Sequence, residues 1–376
     1  MKRLLALLLC LTLLCGCTAA LPYTSREVIP LDCGIPALQA YPEGIPARNI
    51  WDMAVANDRL WLGGGDYDKN SGPVTMYYYD LNSRKWGSAA ALPDEEISRF
   101  VMLGDTLYAT GTDPKEDWEW GNYYRLSADG NTWETQRVLP GGVHNFDLTE
   151  FDGKLFAALG VEEGRSPVVC SEDGGKTFRE VPLLRDGTPI DTTGGVYIRV
   201  HRFFVHDNWL YALYRFADDQ ALREQAIFRY ENGSFTYHAD WSSAFTRVRF
   251  NHKVISEAVC VGDKTYFTSG KLYATEDFKT VSPCVLQEDA FVTDLVTMDG
   301  TLCALAVQKI DSDTTPFRIS WWQCKEDGWS ERWYFYHELP AVSALYHGGT
   351  CYVALGAFTD TPHPKNGTLL AVLYPK

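Results

Sequence analysis

Short hydrophobic segments alternate with small polar turns along most of the 376-residue chain. One phrase recurs: a polar turn, a hydrophobic pair and then small residues, as in NDRLWLGGG, GDTLYATG and DGKLFAALG. The first residue of the pair falls at seven positions, spaced 37 to 55 residues apart: Leu60, Leu107, Leu155, Leu210, Thr265, Leu302 and Cys351. Units of four short strands at such a period are typical of β-propellers. The pattern predicts an all-β fold, a seven-bladed β-propeller of four-stranded antiparallel blades.

The last repeat has only three predicted strands, over 342–346, 351–355 and 369–374. The segment SREVIPL at 25–31 is similar to FREVPL at 178–183, which occupies the fourth-strand position of the third repeat. We therefore expect an N-terminal strand to close the last blade, which would remove an unpaired sheet edge. Residues 25–376 would then form a single propeller domain.

The turn between the third and fourth strands of the third repeat reads SEDGGKTF. An aspartate here can accept backbone N–H bonds of its own turn, and glycine tolerates a positive φ. The stretch resembles the Asp box, S-x-D-x-G-x-T-[WF], of sialidase-like (BNR) and sortilin-like propellers, with eroded copies at 127–133 and 275–280. The resemblance implies a role in folding, because this turn lies away from the usual ligand face. Its box positions are Ser171, Asp173, Gly175, Thr177 and Phe178.

A sialidase resemblance would also imply an arginine triad, a Tyr–Glu pair and an early Phe/Tyr-Arg-Ile-Pro motif on six blades. The chain has none of these signatures, and FRIS at 317–320 comes late, in the sixth repeat. It also lacks G-x-S-x-G, H-E-x-x-H and a phosphate-binding loop. The sequence therefore favours a non-catalytic binding module. A cryptic glycoside hydrolase or lyase that uses carboxylates, and a protein-interaction scaffold, are the two alternatives.

The strand expected to line the central channel carries an ionisable side chain eight residues before the hydrophobic pair in six of the seven repeats. These residues are Asp52, Arg99, Asp147, Arg202, Glu257 and Asp294. The following residue is apolar in every repeat. Two interpretations fit: a ring of inter-blade ion pairs, or a polar pocket at the channel mouth. Four further basic side chains would enlarge that pocket: His144, Arg199, His201 and His252.

The loops between the second and third strands of the repeats, the B–C loops, are long and polar. EDWEWG at 116–121 places Trp118 and Trp120 beside carboxylates, and Tyr67 lies in the corresponding loop of the first repeat. Aromatic rings beside carboxylates suit the apolar faces and hydroxyls of sugars, whereas rings that cover a sheet edge fit the same pattern. The predicted ligand is a glycan or a small polar molecule, or a protein partner that contacts these loops.

Three oxygen-bearing residues alternate in the first B–C loop: Asp66, Asp68 and Asn70. This spacing can surround a calcium ion, and it is equally a feature of plain polar turns. No helix flanks it, so a helix-loop-helix calcium site is excluded. Apart from this calcium alternative, we expect no cofactor.

The chain begins MKRLLALLLCLTLLCGC, in which the apolar run 4–14 is too short to span a bilayer and is typical of a secretory signal. The final LCGC resembles a bacterial lipobox, which implies lipid attachment at Cys17. We predict a lipoprotein signal at 1–17 and a short tether at 18–24. The mature protein would then lie outside the cytoplasmic membrane, held there by its lipid alone.

The formal net charge is −15, which argues against nucleic acid and anionic lipid surfaces as partners. Seven cysteines follow Cys17 without a C-x-x-C pair, so neither a zinc site nor a disulfide framework is indicated, although one bridge would fit. We expect a monomer.

Overall fold

A computed structural model describes residues 23–24, 28–31, 48–66, 71–115, 120–161, 164–191, 197–218, 221–238, 257–268, 270–356, 363 and 365–373. These residues form β-strands and turns without an α-helix. Accordingly, none of the described ranges contains a helix of the length and hydropathy that crossing a membrane requires.

The first strands are numbered in chain order. Two short N-terminal strands are followed by an antiparallel sheet of four strands that pair in sequence order. The N-terminal strands are β1 (Tyr23–Thr24) and β2 (Val28–Leu31). The sheet consists of β3 (Asp52–Ala56), β4 (Arg59–Gly63), β5 (Val74–Asp80) and β6 (Lys85–Leu92).

Three further groups of four antiparallel strands join into one sheet of fourteen strands, which also includes a small hairpin. The first group is β7 (Asp94–Leu103), β8 (Thr106–Pro114), β9 (Trp120–Leu126) and β10 (Trp133–Pro140). The second is β11 (His144–Phe151), β12 (Lys154–Gly160), β13 (Val168–Ser171) and β14 (Arg179–Glu180). The hairpin is β15 (Leu183–Arg185) and β16 (Thr188–Pro189). The third group is β17 (Tyr197–His206), β18 (Trp209–Asp218), β19 (Ala221–Glu231) and β20 (Ser234–Tyr237).

The C-terminal part contains three more antiparallel groups. The first is β21 (Ala258–Val261), β22 (Lys264–Thr268), β23 (Leu272–Thr275) and β24 (Ser282–Cys284). The next is β25 (Ala290–Met298), β26 (Thr301–Lys309), β27 (Phe317–Lys325) and β28 (Gly328–His337), along which β1 adds a parallel fifth strand. The last is β29 (Ala341–His347), β30 (Thr350–Leu355) and β31 (Leu369–Leu373).

The last sheet takes its fourth strand from the beginning of the chain. Strand β2 pairs antiparallel with β31, with Val28 opposite Val372 and Leu31 opposite Leu369. The sheet therefore contains residues from both ends of the described chain, at the position where the repeat pattern left a strand missing.

The apolar core lies between successive groups of strands. Between the first two groups, the fully buried Trp61 meets Trp133 edge-on with ring centroids 5.3 Å apart. Another cluster brings the first and last sheets together, with Leu60 of β4 and Leu369 of β31 both fully buried in it. Strand residues that alternate between faces thus bury apolar side chains on both sides of these sheets.

The SEDGGKTF turn forms a dense local network between β13 and β14. One carboxylate oxygen of Asp173 accepts from the backbone N–H of Thr177 at 2.9 Å, and the other accepts from the Thr177 hydroxyl at 2.7 Å. Ser171 Oγ donates to Asp173 at 2.7 Å and accepts from the Gly175 N–H at 2.8 Å. Gly175 has a φ of 88°, and a β-carbon there would lie 2.2 Å from the Tyr123 hydroxyl, so only glycine fits. Phe178 packs edge-on against Tyr123.

Two of the related turns repeat part of this bonding. Asp129 Oδ1 accepts from the Ser127 hydroxyl at 2.6 Å and from the Asn131 N–H at 3.0 Å. Asp277 Oδ1 accepts from the N–H groups of Lys279 and Thr280 at 2.9 and 2.8 Å. A shared aspartate thus closes the third-to-fourth-strand turn in three of the groups, because its short carboxylate reaches the N–H groups of its own turn.

Replacing Ser171 with alanine is expected to lower the free energy of unfolding by about 1–2 kcal/mol, because the buried hydroxyl is the acceptor for Gly175 and a donor to Asp173. Denaturant unfolding followed by tryptophan fluorescence measures this loss. Ser282→Ala, on the exposed side of β24, is the matched control and should leave the midpoint unchanged. Equal midpoints for the two variants would contradict a stabilising role for the turn.

Candidate functional site

The six charged positions all lie in the first strand of a group or directly before it. Asp52 begins β3, and Glu257 directly precedes β21. In the other four the pairing register shifts just before the charged residue, as it also does before Ser343 in β29. Each shift leaves one residue out of the ladder, and such bulges turn the next side chain to a new direction. The unpaired residues are Ser98, Phe146, His201, Thr293 and Val342.

Four of the six charged side chains form one continuous ion-pair network. Arg99 Nε donates to Asp147 Oδ1 at 2.7 Å, and its Nη1 donates to the two oxygens of Glu257 at 3.1 and 3.0 Å. Arg202 donates to Glu257 Oε1 as well, and its other terminal nitrogen reaches the carbonyl of Phe146 at 3.4 Å. Glu257 is therefore held between two guanidinium groups that belong to different groups of strands.

The aspartates connect neighbouring groups of strands through backbone amides. In each case Oδ1 accepts from the N–H of the following residue, and Oδ2 accepts from an N–H of the next group's first strand, at 2.7–3.0 Å. The donors are Met53 and Phe100 for Asp52, Leu148 and Phe203 for Asp147, and Leu295 and Ala344 for Asp294. Ser343 Oγ donates to the Ile50 carbonyl at 2.6 Å and so joins the last group to the first.

Part of this network is open to solvent. The side chains of Arg99 and Glu257 are 21 % and 18 % exposed, whereas those of Arg202 and Asp147 are 3 % and 2 % exposed. Arg99 carries guanidinium donors, and Glu257 carries carboxylate acceptors. The site can therefore form hydrogen bonds of both kinds with a polar ligand.

The surroundings favour the neutral form of two of the buried carboxyl groups and the charged form of a third. Burial raises the pKa of Asp52 to about 6, although Arg99 and the Phe100 N–H offset part of that effect. Burial, reinforced by the charge of Glu257, raises the pKa of Asp294 well above its usual value. For Glu257 burial acts in the same direction, but the guanidinium groups of Arg202 and Arg99 outweigh it and hold the pKa below its usual value. A cationic group near Asp52 or Asp294 would lower the pKa of that carboxyl group and favour its ionised form.

Phe146 links three of the other basic residues that the sequence indicates. The His144 ring stacks on it at 5.5 Å, the His201 ring lies at 4.6 Å, and the Arg199 guanidinium lies at 5.9 Å. His144 Nδ1 is 3.1 Å from Asp113 Oδ1, yet burial and the charge of Arg199 lower its pKa to about 3, so the imidazole is neutral. The pattern of charged positions did not reveal Phe146, because the repeat register treats it as an ordinary strand residue.

Only some of the candidate loop residues lie within the described part of the chain. Trp120 is half-buried at the start of β9, with the Arg137 guanidinium 5.5 Å from its ring centroid. Asp66 is buried, and its N–H donates to the Glu95 carbonyl at 3.0 Å. Within the ranges given above, no three His, Cys, Asp or Glu side chains form a metal-binding group. The candidates outside the described residues are Cys17, Tyr67, Asp68, Asn70, Trp118 and His252.

Comparison with solved structures defines the class of fold. A chain of the mitotic checkpoint complex aligns with a TM-score of 0.53 at 9% identity, covering 96% of this chain and 95% of that chain. A chain of Kuenenia stuttgartiensis hydrazine synthase gives a TM-score of 0.55 at 9% identity, covering 88% of this chain and 96% of that chain. Both neighbours are propellers, so this chain has a propeller-like all-β fold with several four-stranded antiparallel sheets. No protein-family model and no curated protein matches the sequence, and likeness at 9% identity concerns the fold alone.

Proposed function

We propose that the protein is a lipid-anchored, non-catalytic binding module, a seven-bladed Asp-box-type propeller that binds a glycan or another small polar ligand at its channel mouth. The anchor is the lipid on Cys17, and the domain lies outside the cytoplasmic membrane. The single observation that carries the binding function is the partly open network of Arg99 and Glu257, which presents donors and acceptors beside two further carboxyl groups.

Seven blades and closure of the ring are supported by the packing between sheets. Seven apolar clusters each combine residues from two successive groups of strands, and one of them combines the first group with the last. The β2–β31 pairing and the Ser343–Ile50 hydrogen bond act across that same junction. A ring of blades brings equivalent first strands to one axis, which is how the charged residues come to meet.

The state of the carboxylates favours binding over hydrolysis. The oxygens of Asp52, Asp147 and Asp294 are all engaged by backbone N–H groups, and Glu257 is clamped by two guanidinium groups. A glycosidase needs one carboxyl group that donates a proton and one that attacks or activates water. Groups that are held as hydrogen-bond acceptors between groups of strands are poorly placed for either role.

Binding can be tested on an array of neutral, amino and uronate oligosaccharides with the full chain, followed by calorimetry on any positive oligosaccharide. We expect binding that Arg199→Gln weakens about tenfold or more, because a charge-assisted hydrogen bond to a ligand contributes about 1.5–3 kcal/mol. Arg59→Gln, which removes the same charge at the far end of β4, is the matched control and should bind as the unmodified chain does.

Three results would count against this proposal. Failure to bind any oligosaccharide class would remove the glycan assignment. Equal affinities of the Arg199 and Arg59 variants would place binding away from the channel mouth. Turnover of aryl glycosides that is lost in Asp52→Asn would replace the binding module with the hydrolase alternative.

A further inference from the structure

A cysteine, a histidine and an aspartate lie in a row between β17–β18 and β21–β22, a few residues along the chain from Arg202 and Glu257. His206 Nδ1 lies 3.2 Å from Cys260 Sγ, and His206 Nε2 lies 3.4 Å from Asp207 Oδ2. Thr265, which pairs with Cys260 across β21 and β22, has its hydroxyl 3.1 Å from the same Nδ1. The distances are those of a thiol, its base and the group that orients the base.

The row fixes the chemical roles of the two imidazole nitrogens. With Nε2 beside the Asp207 carboxylate, the tautomer protonated on Nε2 leaves Nδ1 as an acceptor for the Cys260 thiol and the Thr265 hydroxyl. Phe278 lies edge-on to the ring with centroids 5.0 Å apart and so restricts its rotation. The His206 side chain is only 3 % exposed while Asp207 is 74 % exposed, so the base is held inside and its partner reaches the surface.

Among the described cysteines, Cys260 differs from the others in having an imidazole beside a partly exposed thiol. Cys170, Cys303 and Cys351 are fully buried. Cys284 and Cys324 are half-buried like Cys260. The Cys324 thiol contacts the Tyr266 hydroxyl at 3.5 Å, and Cys284 contacts Trp329; neither group accepts a proton at neutral pH.

We propose that Cys260 is a reactive thiol whose covalent modification by small disulfides is assisted by His206 as general base. Sγ attacks one sulfur of the disulfide, and a new S–S bond forms as the old one breaks. The thiol proton moves to His206 Nδ1 and then to the departing thiolate. The products are a mixed disulfide on Cys260 and one free thiol, with the small disulfide as the oxidant.

A general base is needed because the raised pKa of the Cys260 thiol disfavours its ionisation. Burial raises the pKa of Cys260, and the Thr265 hydroxyl offsets only part of that effect. Only the thiolate attacks a disulfide. Because its pKa is raised, the thiol would supply little thiolate near neutral pH without a proton acceptor. The imidazole removes this limit during the reaction itself.

The test uses the full chain and the aromatic disulfide DTNB, with rates for each cysteine read by peptide mass spectrometry. We expect Cys260 to react about tenfold or more faster than Cys284 and Cys324 in the folded protein, and His206→Gln to lower the Cys260 rate by about tenfold or more. Asp207→Asn, at an exposed turn position whose positive φ asparagine also accepts, should lower the rate several-fold without altering the unfolding midpoint.

The pH profile separates base assistance from a structural role. The unmodified chain should react at an appreciable rate near pH 7, whereas the His206 variant should react only as the thiol itself ionises in alkaline solution. A Cys260 rate equal to those of Cys284 and Cys324 would overturn the proposal. The proposal would also be overturned if Asp207→Asn reacted at the same rate and with the same pH profile as the unmodified chain. This comparison can be made even if His206→Gln fails to fold.

Discussion

Glu257→Gln is expected to lower the free energy of unfolding by about 3–5 kcal/mol, the usual cost of leaving buried charges without their partner. The glutamate is the common acceptor for Arg99 and Arg202, and the Arg202 side chain is only 3 % exposed. A neutral amide accepts hydrogen bonds but cannot compensate two guanidinium charges. Urea unfolding of both proteins at pH 7 would measure the difference.

The control for this variant is Glu276, which directly follows β23 in the group of strands that begins after Glu257. Glu276 pairs with Lys264 at 3.0 Å, but the two side chains are 60 % and 45 % exposed. Glu276→Gln should therefore change stability by less than about 1 kcal/mol. If Glu257→Gln were as mild as this control, the network would have no structural role, and the ligand-pocket interpretation alone would explain the charged positions.

The repeat pattern was sufficient to bring out the charged positions, but it could not predict which of them pair. Equivalent positions in sequential repeats suggest ion pairs between neighbours, as between Arg99 and Asp147. Arg99 also reaches Glu257, three groups further along the chain. That pairing depends on the distance between first strands that lie three groups apart, which spacing along the chain does not encode.

The carboxylate contacts show a second limit of sequence reasoning. The series of aspartates beside apolar residues suggested ions that pair with other ions. In the structure Asp52 and Asp294 accept instead from main-chain N–H groups of the adjacent sheet. A backbone N–H group is present at every non-proline residue, so the amino-acid sequence does not indicate which N–H groups a carboxylate will bind.

The bulges explain why Phe146 was missed. A bulge arises from a mismatch between two paired strands, and its position depends on both strands and their neighbours. Phe146 occupies the unpaired place in β11 and from there contacts His144 and His201. By contrast, the hydrogen bonds of the SEDGGKTF turn are local, and the sequence alone indicated Asp173 as their acceptor.

A buried carboxyl group that no motif indicated lies at the start of β7. Asp94 has no exposed surface, and its Oδ2 is contacted by Asn122 Nδ2 at 3.2 Å and by the Tyr124 hydroxyl. The carboxyl packs onto Gly111, where a β-carbon would lie 2.4 Å from its Oδ1. Burial raises the pKa of Asp94 to about 7, and the nearby charges of Asp113 and Glu95 act in the same direction.

This raised pKa sets the sign of a pH effect on stability. In the unfolded chain the carboxyl loses its proton near its ordinary pKa of 3.8, whereas in the folded chain it keeps the proton up to about pH 7. Between those values the folded state binds more protons, so the stability contributed by Asp94 is complete in acid and is lost as the pH rises towards 7. A displacement of this size corresponds to at most about 4 kcal/mol.

Asp94→Asn should therefore remove a pH dependence and stabilise the protein in alkaline solution. The amide has the same shape and does not titrate, so the variant should be more stable than the unmodified chain at about pH 8, by up to about 4 kcal/mol, and within about 1 kcal/mol of it at about pH 4.5. Comparing the difference between the two proteins at both pH values cancels the titration of Asp52 and Asp294, whose raised pKa values act in the same direction. Asp105→Asn, in the exposed turn between β7 and β8, is the control for lost surface charge. Only a proton that the Asp94 carboxyl retains on folding makes the stability difference between the two proteins depend on pH. If that difference were the same at both pH values, the Asp94 carboxyl would already be ionised in the folded protein, which would contradict the prediction.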